Sequence, residues 1–525
     1  MDDAAVTLLV LAAAVVMFVW NRVPVAAVAL GAALALYAAG VLGLDEALSG
    51  FGDPTVLFIA SLFVIAEALD ASGITTWAGQ RLVRAARSDP TRLVVFVLLL
   101  CAVLAAVVTP NGAVAALLPM TVVIATRVGR SPSKLLLPLA FAAHAGSLLV
   151  LTGSPVNVLV SEAAADTGAG RFGFFEFALV GLPLVIGTVG LVLAFGDRLL
   201  PDRRARSLPP DLGRHAQTLA DEYAPATVPR EVPGHLFTRQ VGVAEVVVPP
   251  RSPLIGQTVF PGMVTESGDL LVLSIRRRGE EVAAPDATLV AGDALLLEGS
   301  WRALDERLDA EEVLVVDPPD VVRRQVVPLG PGARRTLVVT AAFVAVLAAG
   351  LVPAAVAGIV AAAALVLLGV LETEQAYRAI HWTTVVLIAG LIPVSEAIQS
   401  TGAADDVAGV LVDVAGGSSP HLLLAALFVV AAAFGAAISN TATALILIPV
   451  GLSAAAELDV AAPPVLMSIA VACSAAFLTP IATPGNMIVM EPGGYRFGDY
   501  WRLGLPLLAF FFVAAVFLVP AIWAF

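Results

Sequence analysis

The chain has 525 residues, of which 59% are hydrophobic and 14% are charged, and its formal net charge at pH 7 is −13. This composition excludes an ordinary soluble enzyme, and the negative charge argues against a nucleic-acid partner. The only lysine, Lys134, follows Ser133, so the chain lacks the Gly-Lys-Ser/Thr sequence of a P-loop ATPase.

Apolar runs dominate the first third of the chain and predict a polytopic α-helical membrane protein surrounded by lipid. Runs such as Ala4–Trp20 and Val23–Leu44 approach the roughly 20 residues that cross a bilayer. Met-Asp-Asp precedes the first run without a basic segment, so we expect a retained helix and not a signal peptide. Cys101 and Cys473 both fall in apolar runs, so neither a disulfide nor a thiolate metal site is expected.

Two polar clusters interrupt these runs. Thr109, Pro110 and Asn111 stand between the apolar stretches Leu93–Val108 and Gly112–Thr126. Further on, the sequence LTGSPVN contains Thr152, Gly153, Ser154, Pro155 and Asn157. Proline and glycine interrupt a helix and leave backbone carbonyls without helical partners, so the second cluster predicts a broken helix.

The chain then becomes polar and rich in proline from about Asp197 to Arg335. Its centre alternates β-forming residues with turn signals and predicts a small strand-rich domain. We therefore expect a first transmembrane repeat over 1–197, a linker and soluble domain over 198–335 with its core at 240–317, and a second transmembrane repeat over 336–525.

The last third of the chain repeats the first. Matching segments keep an offset of 329 residues, which pairs Glu67 with Glu396 and Asn157 with Asn486. Thr109 lies 330 residues before Ser439, which begins the polar triplet Ser439, Asn440 and Thr441. The second broken helix has the sequence PIATPGN, with Thr483, Pro484 and Asn486. These matches predict a duplicated membrane domain.

The distribution of arginine predicts how the two repeats are oriented. Basic loops hold Arg22, Arg81, Arg84, Arg87, Arg92, Arg127, Arg130, Lys134, Arg198, Arg203, Arg204 and Arg206. If all of them lie in the cytoplasm, the stretches Leu93–Val108 and Gly112–Thr126 enter and leave on the same side as a re-entrant hairpin. The matching hairpin around Ser439 then opens to the outside, because its neighbouring loops are acidic. The repeats are therefore expected to be inverted, with both termini outside and the inserted domain in the cytoplasm.

Hairpin tips and broken helices at mid-membrane are typical of secondary transporters. Half-helix N-termini face anionic groups in such proteins, and freed carbonyls hold Na⁺. Irregular backbone at that depth needs a protein or water-filled surrounding. The hydroxyl and amide groups of the triplets suit an anion together with a small hard cation. For each triplet alone, ordinary packing between membrane helices is the alternative.

These motifs resemble the divalent-anion/sodium symporters of the ion-transporter superfamily. The resemblance is carried by the Ser-Asn-Thr hairpin, the Thr-Pro helix break and the Phe-Gly-Asp-Tyr-Trp run before the last helix, and it covers both membrane parts. It implies Na⁺-coupled symport of sulfate or a di- or tricarboxylate, with no other cofactor. The first tip departs from the family pattern because it reads Thr-Pro-Asn, which removes one backbone N–H.

The resemblance also implies which residues bind. The anion site would contain Ser439, Asn440, Thr441, Thr109, Pro110, Asn111, Thr483, Asn486, Thr152 and Asn157. The sodium sites would contain Ser439, Asn440, Thr483, Pro484, Asn111, Thr152, Gly153 and Ser154. In this scheme each tip works with the broken helix of its own repeat.

The inserted domain is similar to the C-terminal regulatory subdomain of potassium-transport regulators, the TrkA-C or RCK-C domain. The segments VAEVVVPPRSPLIGQTV and AGDALLLEGS carry this resemblance, in a single copy. It implies a homodimer paired through the domain and a small ligand bound there. A passive cytoplasmic spacer is the alternative.

Three intramembrane residues are candidates for gating: His144, Glu67 and Glu396. Both glutamates precede a glycine near a predicted helix end, so a capping or interface position is the alternative for them. His144 is typical either of a neutral histidine bonded to a neighbouring helix or of a proton-linked gate. A metalloid-oxyanion or Na⁺/H⁺ exchanger of the same superfamily would depend on these groups and Asp70 more than on the triplets. A receptor that senses a cytoplasmic ligand and transports nothing is the alternative from another class.

Overall fold

The computed structural model describes residues 2–20, 22–75, 77–78, 81, 90–127, 130–203, 241–265, 268–277, 280–282, 287–308, 313–316, 329–330, 332–414 and 419–525. Four of the predicted cytoplasmic arginines lie outside these residues, namely Arg84, Arg87, Arg204 and Arg206, as do residues 240 and 317 at the ends of the predicted β-rich core. The chain divides into a larger unit of Met1–Asp70, Arg81–Leu208 and Arg334–Phe525 and a smaller unit of Ala71–Gln80 and Pro209–Ala333.

The described residues in the N-terminal part of the larger unit are mainly helical. Its helices are α1 (Asp3–Trp20), α2 (Val25–Ala38), α3 (Leu44–Leu48), α4 (Pro54–Ala71), α5 (Pro90–Val107), α6 (Pro110–Arg127), α7 (Leu136–Gly146), α8 (Pro155–Asp166) and α9 (Ala178–Leu199). Helices α5 and α6 meet at Val108 and Thr109 and form the first hairpin. The segment Ser147–Ser154 separates α7 from α8 and forms the first break.

The C-terminal part of the larger unit, from Arg334, has a similar succession of helices, with α15 as an additional helix among the described residues. After α10 in the smaller unit (Trp301–Leu308), the helices are α11 (Ala333–Ala348), α12 (Ala354–Leu367), α13 (Thr373–Ala379), α14 (Trp382–Ser400), α15 (Ala403–Val414), α16 (Pro420–Gly435), α17 (Asn440–Glu457), α18 (Ala462–Ser474), α19 (Pro484–Ile488) and α20 (Tyr500–Val513). Helices α16 and α17 form the second hairpin, and Ala475–Thr483 forms the second break. A π-helical turn, Ala514–Leu518, joins α20 to α21 (Val519–Ile522), and together these make the last helix.

Helix length and composition identify a multi-pass membrane protein. Six helical stretches among the described residues are long and apolar enough to cross a bilayer: Asp3–Trp20, Leu44–Ala71, Ala178–Leu199, Trp382–Ser400, Asn440–Glu457 and Phe497–Ile522. Shorter apolar helices, including Pro420–Gly435 and Ala462–Ser474, lie between them. Helix α2 packs against α14, α5 against α7, and α17 against α18. All residues of α7 and all but the first two of α18 are buried, so the helices that lead into the two breaks lie in the interior.

The smaller unit contains a five-stranded antiparallel sheet with strand order β4-β3-β6-β1-β7 and a separate β2-β5 pair. The strands are β1 (Val241–Val247), β2 (Thr258–Val259), β3 (Leu270–Arg277), β4 (Glu280–Glu281), β5 (Ala287–Thr288), β6 (Ala294–Ser300) and β7 (Leu314–Val315). Trp301, at the start of α10, is buried in the core of this unit. Arg277 pairs with buried Asp293 at 2.8 Å, and this guanidinium holds the pKa of the Asp293 carboxyl below its ordinary value.

Candidate functional site

The tips of both hairpins are helix N-termini capped by a hydroxyl group. Thr109 Oγ1 accepts a hydrogen bond from the Gly112 N–H at 3.1 Å, at the start of α6. Ser439 Oγ accepts one from the Ala442 N–H at 3.2 Å, at the start of α17. Serine and threonine favour this position because the hydroxyl satisfies an N–H that has no partner within the helix. The polar triplets therefore start helices at the turn of each hairpin.

The second tip contains an amide oxygen without a protein partner. Asn440 is the first residue of α17, and its Oδ1 is buried and makes no hydrogen bond to any described residue. Leaving a buried polar atom unsatisfied costs free energy, so such an atom indicates a missing ligand or water. Thr441 is buried one residue further into the helix.

Both helix breaks end in a hydroxyl cap followed by proline. Ser154 Oγ accepts from the Val156 N–H at 3.2 Å, and Thr483 Oγ1 accepts from the Asn486 N–H at 3.3 Å. Pro155 and Pro484 occupy the next position, where proline is favoured because its missing N–H would have had no helical partner. Thr152 and Gly153 form part of a 3₁₀ turn, Leu151–Gly153, inside the first break.

A matched pair of asparagines lies just after the two breaks, in the first turns of α8 and α19. Asn157 Nδ2 donates to the carbonyls of Ser147 at 2.8 Å and Val150 at 3.0 Å. Asn486 Nδ2 donates to carbonyls at the same spacing, ten and seven residues earlier, at 2.7 and 3.1 Å. Both asparagines are 0% exposed, and the Oδ1 atom of each makes no hydrogen bond within the described structure. Each amide therefore fixes the backbone of its break while its oxygen stays available.

Two hydrogen bonds connect the N-terminal part with the second break. Asn111 Oδ1 accepts from the Gly485 N–H at 2.9 Å, so the first tip touches the start of α19. His144 Nε2 lies 3.1 Å from Thr483 Oγ1, and the histidine is buried. The sequence grouped the first tip with the first break, whereas these contacts join the first tip and α7 to the second break.

Other residues join the site although the sequence did not single them out. Thr479 Oγ1 donates to the Ala436 carbonyl at 3.3 Å, which links the second break to the second tip. Tyr500 donates from its hydroxyl to the Asn486 carbonyl at 2.6 Å. Tyr500 belongs to the Phe-Gly-Asp-Tyr-Trp run, so the sequence contains a signal that could have identified it. Thr479 corresponds to the apolar Val150 at the repeat offset, so the repeat contains no signal for it.

The chemistry of the site is that of hard, neutral oxygen ligands. Its side chains contribute hydroxyl and amide oxygens, and the breaks contribute carbonyls. The described residues contain no group of three or more His, Cys, Asp or Glu side chains that could hold a metal ion. Oxygen ligands of this kind suit a small hard cation, and the N-termini of α6, α8 and α17 suit an anion.

The two duplicated glutamates lie on helices outside the hairpin tips and the helix breaks. Glu396 lies on α14 and is exposed, and Glu67 lies on α4 and is half-buried. Asp70, near the end of α4, is also half-buried. The contacts described above bring His144, but neither of these glutamates, to the breaks.

Comparison with known proteins identifies transporters. The chain matches the family model for the citrate transporter (CitMHS) over residues 15–418 and that for the sodium:sulfate symporter transmembrane region over residues 312–525. It is 30% identical to the uncharacterized transporter YfbS of Escherichia coli, over 98% of this chain and 98% of that protein. It is 28% identical to the probable sodium/sulfate cotransporter 3 of Chlamydomonas reinhardtii, over 53% of this chain and 32% of that protein. Among solved structures, the Alcanivorax borkumensis YdaH transporter covers 97% of this chain and 98% of its own at 16% identity, with a TM-score of 0.49.

Proposed function

The chain belongs to the family of citrate transporters and sodium:sulfate symporters, and we propose that it carries a small divalent anion across the cytoplasmic membrane together with Na⁺. As a member of this family, the chain is a multi-pass membrane transporter and not an enzyme. The proposed substrate is sulfate or a di- or tricarboxylate. Curated relatives named sodium/sulfate cotransporters support sulfate as the first anion to test.

The observation that carries the Na⁺ proposal is the set of unsatisfied amide oxygens. Asn157, Asn486 and Asn440 each keep a buried Oδ1 without a hydrogen-bond partner among the described residues. A cation supplies what these oxygens lack, whereas an anion would be repelled by them. We assign Na⁺ to the oxygens of the breaks and of the second tip, alongside Thr152, Gly153, Ser154, Thr483 and Pro484.

The anion is assigned to the tips. The first-turn N–H groups that the hydroxyl caps do not engage, those of Asn111 in α6 and of Asn440 and Thr441 in α17, are donors for an anion, and so are the hydroxyls of Thr109, Ser439 and Thr441. A bound Na⁺ at a neighbouring break would lower the cost of placing a divalent anion there. This arrangement favours binding of both ions over binding of either one, which is the requirement for symport.

The proposal includes an inverted arrangement of the two membrane parts. The matching caps and the matching asparagine bonds support an internal repeat. The positive-inside rule then puts both termini outside and the inserted domain in the cytoplasm. We also assign to that domain a homodimer contact and a small regulatory ligand, on the resemblance of its sequence alone.

One contact favours a second candidate, a proton-linked exchanger of the same superfamily. His144 lies against Thr483 at the second break, where a proton carrier would have to act. The exposed position of Glu396 favours it less. This candidate predicts transport that follows the pH gradient and is independent of Na⁺. A receptor without transport predicts anion binding and no uptake.

Uptake by proteoliposomes tests these functions directly. Purified protein is reconstituted, and labelled sulfate, succinate and citrate are offered at fixed pH with an inward Na⁺ gradient or with choline in its place. We expect uptake of at least one anion, and we expect choline to abolish it. Uptake that is equal in Na⁺ and choline would reject Na⁺ coupling, and binding without uptake would favour the receptor.

A further inference from the structure

Helix α9 and the last helix are tied to each other at both ends. Trp523, directly after the last helix, donates from Nε1 to Oε1 of Glu176, just before α9, at 2.9 Å. Arg203, shortly after α9, donates from Nη1 to Oδ2 of Asp499, directly before the last helix, at 2.6 Å. The two helices therefore run antiparallel, with one of these side-chain pairs at each end. We call the pairs Trp523–Glu176 and Arg203–Asp499 the two braces.

The acids of the two braces occupy equivalent turns. Glu176 accepts from the Gly173 N–H at 2.7 Å, and Asp499 accepts from the Arg496 N–H at 2.7 Å, each three residues earlier. The donors differ, because the Trp523 indole is neutral and the Arg203 guanidinium is cationic. Asp499 is 3% exposed and Arg203 is partly exposed, and the cationic donor makes this pairing the stronger of the two.

Each braced helix also touches the backbone of the break in its own part of the chain. A Cβ atom at Gly181 of α9 would lie 2.0 Å from the Leu148 carbonyl oxygen in the first break. A Cβ atom at Gly504 of the last helix would lie 2.3 Å from the Phe477 carbonyl oxygen in the second break. Glycine is therefore required at both contacts, and a shift of either helix would move the break beneath it.

The Arg203 brace reaches further into the site than its counterpart. Tyr500 follows Asp499 in the chain and donates from its hydroxyl to the Asn486 carbonyl at 2.6 Å. Phe177, at the equivalent place after Glu176, has no hydroxyl and is fully buried. Among the described residues, the second break alone is thus bonded through its asparagine to a residue adjoining a brace.

We propose that the two braces are positioning elements that fix the distance between the helix breaks, and that the Arg203–Asp499 brace sets the affinity for Na⁺ at Asn486. This inference rests on the Na⁺ coupling proposed above. Helix α9 has 22 residues, or about 33 Å of length, which is close to the roughly 30 Å core of a bilayer. The braces therefore stand near opposite membrane faces and keep the helix pair rigid at both.

The test measures the Na⁺ concentration for half-maximal uptake separately from the maximal rate. Arg203→Gln removes the ionic brace, whereas Trp523→Phe removes the indole N–H and makes the side chain smaller, while it keeps an aromatic ring beside Phe172. We expect Arg203→Gln to raise the half-maximal Na⁺ concentration about tenfold, the size of one hydrogen bond to a charged group. Trp523→Phe should raise it by about threefold, and the maximal rate should change less than about twofold in both.

Matched variants separate positioning from loss of folding. Arg171→Gln breaks an exposed pair with Glu162 close to Glu176 in the chain and should leave the Na⁺ dependence unchanged. Arg203→Lys should recover part of the affinity, and Arg203→Gln combined with Asp499→Asn should be no worse than Arg203→Gln alone. If the Arg203→Gln protein fails to insert into the membrane, Trp523→Phe tests the same proposal, because this variant keeps every charged side chain. If uptake by the parent protein depends on Na⁺ but the variants keep its half-maximal Na⁺ concentration, the proposed role of the braces is wrong and the proposed function stands. If uptake by the parent does not depend on Na⁺, the proposed function is wrong as well.

Discussion

Asn157 and Asn486 make the same two hydrogen bonds in the two membrane parts, to the carbonyls ten and seven residues earlier, and both leave Oδ1 without a described partner. The Nδ2 group of each amide is structural, and its Oδ1 atom is not used by any described residue. The pair therefore marks two equivalent places where a cation would complete the coordination. This relationship is more informative than the polar triplets, because it survives the sequence differences between the tips.

The first prediction concerns these two asparagines. Asn486→Ala and Asn157→Ala should each raise the Na⁺ concentration for half-maximal uptake by about ten- to a hundredfold, because each removes a ligand oxygen and the amide that holds the break. Na⁺ should raise the melting temperature of the parent protein, since a ligand that binds the native state stabilises it. Both variants should lose most of that rise. Thr188→Val is the control, because its buried Oγ1 also lacks a described partner but lies within α9, outside the breaks. An equal Na⁺ response in Asn486→Ala and Thr188→Val would contradict the assignment.

The second prediction concerns the close contact between α9 and the first break. Gly181→Ala places a methyl group 2.0 Å from the Leu148 carbonyl oxygen, and overpacking of this kind costs about 1–3 kcal/mol. We expect a lower melting temperature and a reduced uptake rate. Gly190 lies on the same helix with nothing within 4 Å of its Cβ position, so Gly190→Ala should be neutral or stabilising by about 0.5–1 kcal/mol. The idea fails if the two variants have the same melting temperature.

Local chemistry explains which parts of the site could be predicted from the sequence. The hydroxyl residues Thr109, Ser439, Ser154 and Thr483, three of which are followed by proline, start helices by contacts within a few residues, so their positions follow from the chain itself. Family membership was also predicted from these motifs and is confirmed by the family models.

The contacts between distant segments could not be predicted in the same way. The Asn111–Gly485 and His144–Thr483 hydrogen bonds join residues 374 and 339 positions apart. The repeat offset does not determine which hairpin tip contacts which helix break. The local helix starts are the same whether a tip contacts the break of its own part or the break of the other part. The bond from Tyr500 to Asn486 was missed for a related reason, since a tyrosine that opens an apolar helix gives no sign of the carbonyl it reaches.

The third prediction separates two roles for His144. If the ring positions the Thr483 hydroxyl, His144→Gln should retain Na⁺-driven uptake, because the glutamine amide can still hydrogen-bond to that hydroxyl. His144→Leu should raise the half-maximal Na⁺ concentration by about three- to tenfold, since one hydrogen bond to Thr483 is lost. A proton-linked gate predicts instead that both variants lose uptake, and uptake assays of the two at fixed pH decide between the roles.

The fourth prediction concerns the inserted domain. Replacing residues 240–317 by a flexible linker should leave measurable Na⁺-coupled uptake, because the tips, breaks and braces all lie in the larger unit. The rate and the oligomeric state are the properties that we expect to change. The measurement is uptake in proteoliposomes together with the mass of the detergent-solubilised protein. A correctly inserted protein with no uptake at all would show that the domain is required for transport.

The last prediction follows from the difference between the two hairpin tips. Asn440 Oδ1 is buried and has no partner among the described residues, whereas Asn111 Oδ1 already accepts from the Gly485 N–H. Pro110, the first residue of α6, has neither an N–H nor a polar side chain. The second tip should therefore make more of the direct contact, with Na⁺ through Asn440 Oδ1 and with the anion through the donor groups of Asn440 Nδ2. Asn440→Ala should raise the half-maximal concentrations of both ions by one to two decades, about 1.5–3 kcal/mol, while Pro110→Ala should change them little. Asn111→Ala should chiefly lower the melting temperature, because it breaks a bond between the two membrane parts. If Asn440→Ala transports like the parent and Asn111→Ala abolishes uptake while still folding, the dominant site belongs to the first hairpin.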